Sequence, residues 1–491
     1  MNKNTTIRQD KYEEYLRSLN ISEEPPQVSS LFDIEMKEIF KACDDFTYRE
    51  IVLSRGEKGI IYFLQGIVDL EFLHMSVIKP LVESMKDQFE EVDHRQQINN
   101  PKNISLKNWN EIIFALFNGG AICHIDGQLP IEVKVPGKEK RNISEPTTQY
   151  QVFGPKIGFI EDIQTNISIV RKFLKDPRVK TVNYEIGSLS HTKVSVMYID
   201  GYADKKDIEQ IDKRMQNVKI DQLITLGQLN KQIIDHPTSI FPQVFGTERP
   251  DNVALALGEG KIAIFIDNVT FVSILPVTLF DLYLVGDDLS FSSFYNALFV
   301  RAIRYLCMIL STALPALYVA LVAFHPELIP ETLALTIAES RSQIPFPAAA
   351  EALIMMIALD VLVEASIRLP SFVGQTIGIV GGLVIGTAAV EAGVVSSLMV
   401  IVISFTAIAS FTSPTWELVS SLRVLRYGLL IISSIFGLYG FVLGFCVIFI
   451  HICNLESLST PYISPLSTFK MQQLLGRMQQ IKTQYFEKKG G

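Results

Sequence analysis

The chain has 491 residues, enough for two or three domains. Its 44 Lys+Arg against 52 Asp+Glu leave a net charge of −8, which disfavours a general nucleic-acid binder. A mean hydropathy of +0.26 excludes a chain that is an ordinary soluble globule throughout. The charge is concentrated in residues 1–300, whereas residues 301–491 carry only 11 basic and 10 acidic side chains.

Residues 1–30 are polar, contain Pro25-Pro26 and read as a mobile tail. The opening MNKNTTIRQDKYEEYLRSLN has no apolar h-region, so no secretory signal is expected and the N-terminal part should stay in the cytoplasm. Cys43, Cys123, Cys307, Cys446 and Cys453 form no CxxC pair, the pattern of reduced, buried thiols.

Residues 31–145 read as a first soluble lobe. Ile51–Leu53 and Ile60–Leu64 read as strands, Leu70–Met85 and Trp109–Phe117 as helices, and Ala121–Ile125 with Ile131–Val135 as a hairpin. Residues 146–290 read as a second lobe. Asp162–Leu174, Asp204–Met215 and Asp221–Ile234 read as helices. Thr181–Ile186 and Val194–Ile199 read as strands joined through GSLSH. An irregular FPQVFGTERPD precedes two more strands, Lys261–Ile266 and Thr270–Ile274. The expected class is an α/β (or α+β) two-lobed soluble N-terminal part followed by an all-α multi-span membrane domain.

No P-loop, GxGxxG after a strand, HExxH, GxSxG or EF-hand loop occurs. His74, His124, His191 and His236 have no near partner in the sequence and read as surface or satisfied core residues. Catalytic residues, a cofactor and a metal site are therefore not expected, and neither is an enzyme.

The membrane domain is placed at 291–455, with a polar tail at 456–491. No charged residue falls within 305–326, 369–390, 392–416 or 427–455, each long enough for the roughly 20 residues a bilayer needs. A fifth segment, Ala348–Leu369, carries Glu351, Asp360, Glu364 and Arg368. The last three share one helix face, so these charges should be buried inside an assembly. Leu328–Ala338 is too short to cross and reads as re-entrant or interfacial. Arg301, Arg304, Arg423 and Arg426 favour a cytoplasmic start for the first and last spans. Five crossings then leave the tail, with Lys470, Arg477, Lys482, Lys488 and Lys489, outside against its preference; a sixth crossing at 328–344 would bring it back.

Gly374, Gly378, Gly382 and Gly386 recur every four residues, a seam about 18 Å long on a helix. Each glycine costs a helix interior about 1 kcal/mol, so four in register imply close approach of another helix. That helix belongs either to the same chain or to a neighbouring subunit in a ring. On the opposite face Thr376, Val380, Leu383, Thr387 and Glu391 form a stripe suited to a pore. Val380 and Leu383 would form a dewetting gate and Glu391 an acidic ring favouring cations, the alternative being that Glu391 sits in an interfacial turn. Pro345 and Pro347 around Phe346 stop any helix there, making a stiff elbow beside Glu339 and Arg341 that could pair across it. It is either a transmitter to the pore or a plain connecting loop.

Several stretches together carry a resemblance. The soluble part has Glu145-Pro146 with Tyr150, GPKIGFIED (154–162), TERPD (247–251) and EGKIAIFID (259–267). The membrane part has LPALYVALVAFHPELIP (314–330), IAESRSQIPFPAAAEALIM (337–355), ASIRLP (365–370), GQTIGIVGGLVIG (374–386) and FTAIASFTSP (405–414). Over roughly residues 40–465 the chain resembles the A subunit of the GerA-type spore germinant receptors of endospore-forming bacteria. It departs from the family's usual residues at Phe153, Thr387 and Glu391. The resemblance implies a multi-pass protein of the spore inner membrane with its large N-terminal part on the spore-core side. It also implies a homo-oligomeric ring in membrane lipid, forming a nutrient-gated cation channel that triggers germination. The partners implied are a nutrient-sensing B subunit and a lipoprotein C subunit. Two other readings are a transporter that moves a solute itself and a membrane scaffold or signalling subunit without its own pore. No repeated hydropathy pattern of the kind inverted repeats would leave is present to favour the transporter.

Overall fold

A computed structural model describes residues 12–22, 24–52, 58–79, 104–135, 145–146, 148–149, 154–283 and 294–464. The chain divides into two compact units: residues 1–151, 155–234 and 246–276, and residues 152–154, 235–245 and 277–491.

The N-terminal unit holds two five-stranded sheets. The first has the order β1 (Phe46–Val52), β2 (Lys58–Leu64), β4 (Gly120–Ile125), β5 (Ile131–Lys134), β3 (Ile104–Ser105). Strand β2 shows why it is central. Ile60, Tyr62 and Leu64 enter one core with Phe32, Met36, Trp109 and Ile112, while Ile61 and Phe63 enter another with Leu73, Val77, Cys123 and Val133. The period of two thus buries alternate residues on both faces. The first core lies under α2 (Ser29–Ile39) and α4 (Trp109–Phe117) and the second under α3 (Leu70–Leu73) with the π-turn His74–Ile78. The helix expected over Leu70–Met85 is described as far as Lys79. His124 is fully buried, stacked on Phe32 at 4.2 Å, and burial pushes its pKa down to about 4. It is a neutral core imidazole. The stretch read as a mobile tail instead contributes α1 (Glu13–Ser18), and Tyr12 and Leu16 are buried in the first core. Their apolar surface outweighs the polar composition around them.

The second sheet has the order β6 (Val179–Ile186), β7 (Thr192–Ile199), β9 (Ile262–Ile266), β10 (Val272–Leu275), β8 (Phe245–Thr247). All five residues of β9 are buried, as a strand covered on both faces requires. Helices α5 (Ile163–Phe173), α6 (Lys205–Asn217) and α7 (Leu226–Ile233) follow expectation, α7 being shorter than read. The stretch read as irregular conceals β8 and the start of α8 (Pro250–Gly258). Its Pro250 hides a helix start, because proline at the first helical position needs no N–H partner.

One buried arginine joins the two lobes. Arg171 of α5 is fully buried and grips Asp45 with two bonds, Nε to Oδ2 at 2.8 Å and Nη2 to Oδ1 at 2.7 Å. Its Nη1 donates to the Val179 carbonyl at 2.6 Å and Nη2 to Thr181 Oγ1 at 3.2 Å. Burial opposes the guanidinium charge, but the Asp45 carboxylate holds its pKa above the usual value. Around this pair the chain at 42–44 runs beside β6, with Thr181 N–H donating to the Ala42 carbonyl and Asp44 N–H to the Thr181 carbonyl.

The second unit is helical: α9 (Phe294–Phe324), α10 (Glu331–Arg341), α11 (Ala348–Arg368), α12 (Ser371–Glu391), α13 (Ser397–Ser410) and α14 (Trp416–Asn454), followed by the small hairpin β11 (Glu456–Ser457) and β12 (Thr460–Pro461). By length and composition two described stretches, Tyr295–Phe324 and Trp416–Asn454, are long and apolar enough to cross a membrane. The third charge-free run becomes a turn and the 14-residue α13 rather than a full-length rod. Helix α10 has 11 residues, about 16 Å, shorter than the crossing considered at 328–344 would need. Cys446 and Cys453 are exposed on α14, against the expectation of burial.

The last run is not a single rod either. At Gly437 the backbone takes φ 59° and ψ −140°, and α14 turns back on itself. A methyl group built on Gly440 would lie 2.5 Å from the Ile432 carbonyl oxygen, and one on Gly444 would lie 2.7 Å from Leu429. Ser421 donates to the Ile240 carbonyl at 2.6 Å and His451 bonds Ser239 at 3.1 Å. A straight helix would hold positions 421 and 451 about 45 Å apart, yet both bond adjacent residues. The two ends of α14 therefore meet, in a cluster with Phe241, Val277, Leu279 and Tyr462. Ser457 closes it, accepting from Val277 N–H at 3.1 Å and donating to the Gln243 carbonyl at 3.0 Å.

Two outcomes are expected. Asp45→Ala leaves Arg171 buried without its counter-charge and should cost about 3–5 kcal/mol, read as a lower denaturation midpoint of the N-terminal unit's transition. Gly437→Ala puts a side chain at a left-handed backbone position and 2.8 Å from the Phe324 ring. It should cost at least about 1–3 kcal/mol in thermal unfolding of the full chain in detergent.

Candidate functional site

The glycine seam forms as a helix, but its members meet different surroundings. Within the chain α12 packs against α11: a methyl on Gly374 would strike the Ser366 carbonyl oxygen at 2.5 Å, and one on Gly381, outside the four-residue repeat, would strike Leu362 at 2.6 Å. A methyl on Gly386 would lie 3.7 Å from Val400. A methyl on Gly378 or Gly382 would meet nothing within 4 Å among the described residues. Among the described residues, room for a further helix is thus left at the middle of the seam, at the helix-propensity cost of two glycines. Thr387 and Glu391 are exposed, and Glu391 is the last residue of α12. The side chains of Thr376, Val380 and Leu383 lie outside the described residues.

The elbow forms where the prolines require it, α10 ending at Arg341 and α11 beginning after Pro347. Pro345, Phe346 and Pro347 are exposed. The ion pair differs from expectation. Glu339 is exposed, and Arg341 turns to the fully buried Glu351, Nε to Oε1 at 3.2 Å. Glu351 Oε2 also accepts the Ser396 N–H at 3.1 Å. One carboxylate thus ties the elbow to the start of α13, and its buried position makes it the stronger electrostatic partner.

The other charges of α11 separate. Asp360 is half-buried and faces α14, where Arg423 Nε lies 3.3 Å from Oδ1 and the Tyr427 hydroxyl donates to Oδ2 at 2.7 Å. Glu364 and Arg368, expected to be buried, are exposed in the chain and pair with each other at 2.6 Å. Four residues apart on a helix, they satisfy one another without a third element.

Sequence reasoning missed two features of the N-terminal unit. A cavity of about 340 Å³ opens where its lobes join, lined by residues that include Asp44, Gln65, Gln164, Asn183, Tyr184 and Ser195. These come from five separated stretches, so no spacing could signal it. The quoted TERPD stretch is the other. Glu248 accepts from Thr148 and Gln149, and Arg249 reaches the Pro155 carbonyl at 2.8 Å and Asp251 at 2.9 Å. It fastens the strap between the lobes. No described group of three or more His, Cys, Asp or Glu is placed to hold a metal ion.

Residues 34–489 match the family described as Bacillus/Clostridium GerA spore germination protein. The chain is 38% identical over 439 residues to the uncharacterized membrane protein YfkQ of Bacillus subtilis (strain 168), covering 88% of this chain and 85% of that one. It is 37% identical over 460 residues to spore germination protein KA of the same organism, covering 92% and 82%. The crystal structure of the N-terminal domain of the A subunit of the Bacillus megaterium spore germinant receptor GerK3 matches at 26% identity over 52% of this chain and 96% of that one. Its TM-score of 0.39 is too low to equate the two folds.

Proposed function

The chain belongs to the GerA family of spore germination proteins, and on that premise we propose that it is the A subunit of a nutrient receptor in the spore inner membrane, forming an oligomeric nutrient-gated cation channel with a nutrient-sensing B subunit and a lipoprotein C subunit. The observation that carries this reading is the open middle of the glycine seam. A methyl built on Gly378 or Gly382 would meet nothing within 4 Å among the described residues, and a second copy's helix would supply a neighbour there. In a ring of copies Thr376, Val380, Leu383, Thr387 and Glu391 would line the shared axis, with Val380 and Leu383 as the constriction and Glu391 at its mouth.

The passes can be counted on this reading. Helices α9, α11, α12 and α13 and the two arms of α14 make six. The reversal at Gly437 supplies the sixth in place of residues 328–344, and an even number returns the basic tail to the side of Arg301 and Arg304, as positive charge prefers. Helix α13 reaches about 21 Å, short of the ~30 Å core. The irregular stretch beyond it is exposed at Phe411 and half-buried at Thr412, Ser413 and Pro414, between the buried Ser410 and Thr415. The Arg341–Glu351 pair would pass movement of the elbow to the start of α13.

The 340 Å³ cavity supports a second role, in which the N-terminal unit itself takes a small polar nutrient. Calorimetric titration of the full chain without its partners separates that from sensing by the B subunit. Single-channel recording of the reconstituted complex tests the channel: many ions per opening support it, saturable slow transport supports a carrier, and silence supports a scaffold. Leu383→Ala should widen the constriction and leak ions without nutrient, measured as potassium release from dormant spores. Gly382→Leu should block the seam and lower the oligomeric state seen by crosslinking.

A further inference from the structure

Among the described residues of the helical unit, a deeply buried guanidinium keeps one N–H without a hydrogen bond. Arg426, on the first arm of α14, is 3% exposed, and its Nε has no partner among the described residues. It lines a small cavity with Arg423 of the same helix, Asp360 and Val363 of α11 and Ala407 and Ser410 of α13. The cavity measures about 10 Å³, room for one water-sized species. Asp360 is the one acid in this lining and is already engaged by Arg423 and Tyr427. The Ser410 hydroxyl is spent on the Ala407 carbonyl at 2.7 Å.

Two guanidinium groups against one carboxylate leave the cavity with one uncompensated positive charge in a place sheltered from water. We propose that this cavity is a binding site for a small monovalent inorganic anion of the halide class, chloride being the commonest. Such an ion needs no donor geometry beyond the Arg426 Nε–H, neutralises the excess charge and, being larger than a water, must open the cavity slightly to enter. Phosphate, sulfate and carboxylates are too large for it. Because α11, α13 and α14 all contribute lining residues, the ion would tie three helices together.

The test is the melting temperature of the full chain in detergent, in sodium chloride and in sodium gluconate at equal ionic strength. A higher, saturating melting temperature is expected in chloride, reproduced by bromide and not by sulfate. Arg426→Gln should abolish the chloride dependence, and Asp360→Asn should lower the half-saturating chloride concentration by removing the competing carboxylate. Equal melting of the natural protein in chloride and gluconate overturns the site. So does a chloride effect that persists undiminished in Arg426→Gln, and so does saturation by phosphate in place of halide, which would point to a lipid headgroup. Should Arg426→Gln not fold, Ala407→Leu fills the cavity without touching a charge. It should also lose the chloride response, and an undiminished response in that variant overturns the site equally.

Discussion

The helical unit depends on the backbone conformation of a single residue. Gly437 turns an apolar stretch of 39 residues back on itself, and a β-carbon there would collide with the end of α9. The rest follows from that reversal. The returning arm lays Gly440 and Gly444 against the first arm, His451 reaches Ser239, and the β11–β12 hairpin arrives beside Val277 to be closed by Ser457. Had the run continued straight, these bonds would be tens of ångströms from their partners.

The two units treat buried charge in opposite ways. In the N-terminal unit Arg171 has a bidentate carboxylate and two further acceptors, so its desolvation is offset and the lobes are held in register. In the helical unit Glu351 shares itself between Arg341 and a backbone N–H across two segments, while Arg426 is left short of partners. Fully matched charge makes a fixed joint. Charge matched across separate helices, or incompletely, leaves positions whose energy depends on what else binds or moves nearby.

Helix α12 shows why a repeat in sequence is not yet a contact. Four glycines in register guarantee a smooth helix face, because nothing projects from it. They do not say whose helix fills it. Gly374, with Gly381 beside the seam, is packed from within the chain, while a β-carbon on Gly378 or Gly382 would meet nothing within 4 Å among the described residues. The same limit applied to the charges of α11. Their shared face was legible, but Asp360 found α14 while Glu364 and Arg368 found each other.

Periodicity by itself determined the local elements: Trp109–Phe117 as a helix, β2 and the β4–β5 hairpin as strands, the stop of helix at Pro345–Pro347, and the charge-free runs of the second half. Each rests on neighbours within one or two turns, which side-chain pattern encodes directly. Composition misled where few residues mattered more than many, as with Tyr12 and Leu16 in a polar stretch and Pro250 at a helix start. The family resemblance was legible because its motifs are contiguous, and TERPD turned out to be a fastening for the strap between the lobes. Only the tertiary structure decided the cavity between the lobes, the partner of Arg341, the Arg426 Nε without a partner among the described residues, and the reversal at Gly437. Each depends on which distant segments come within a few ångströms. A sequence records the identity of those residues but not their separation in space, and one glycine among several in an apolar run carries no local mark that the chain turns there.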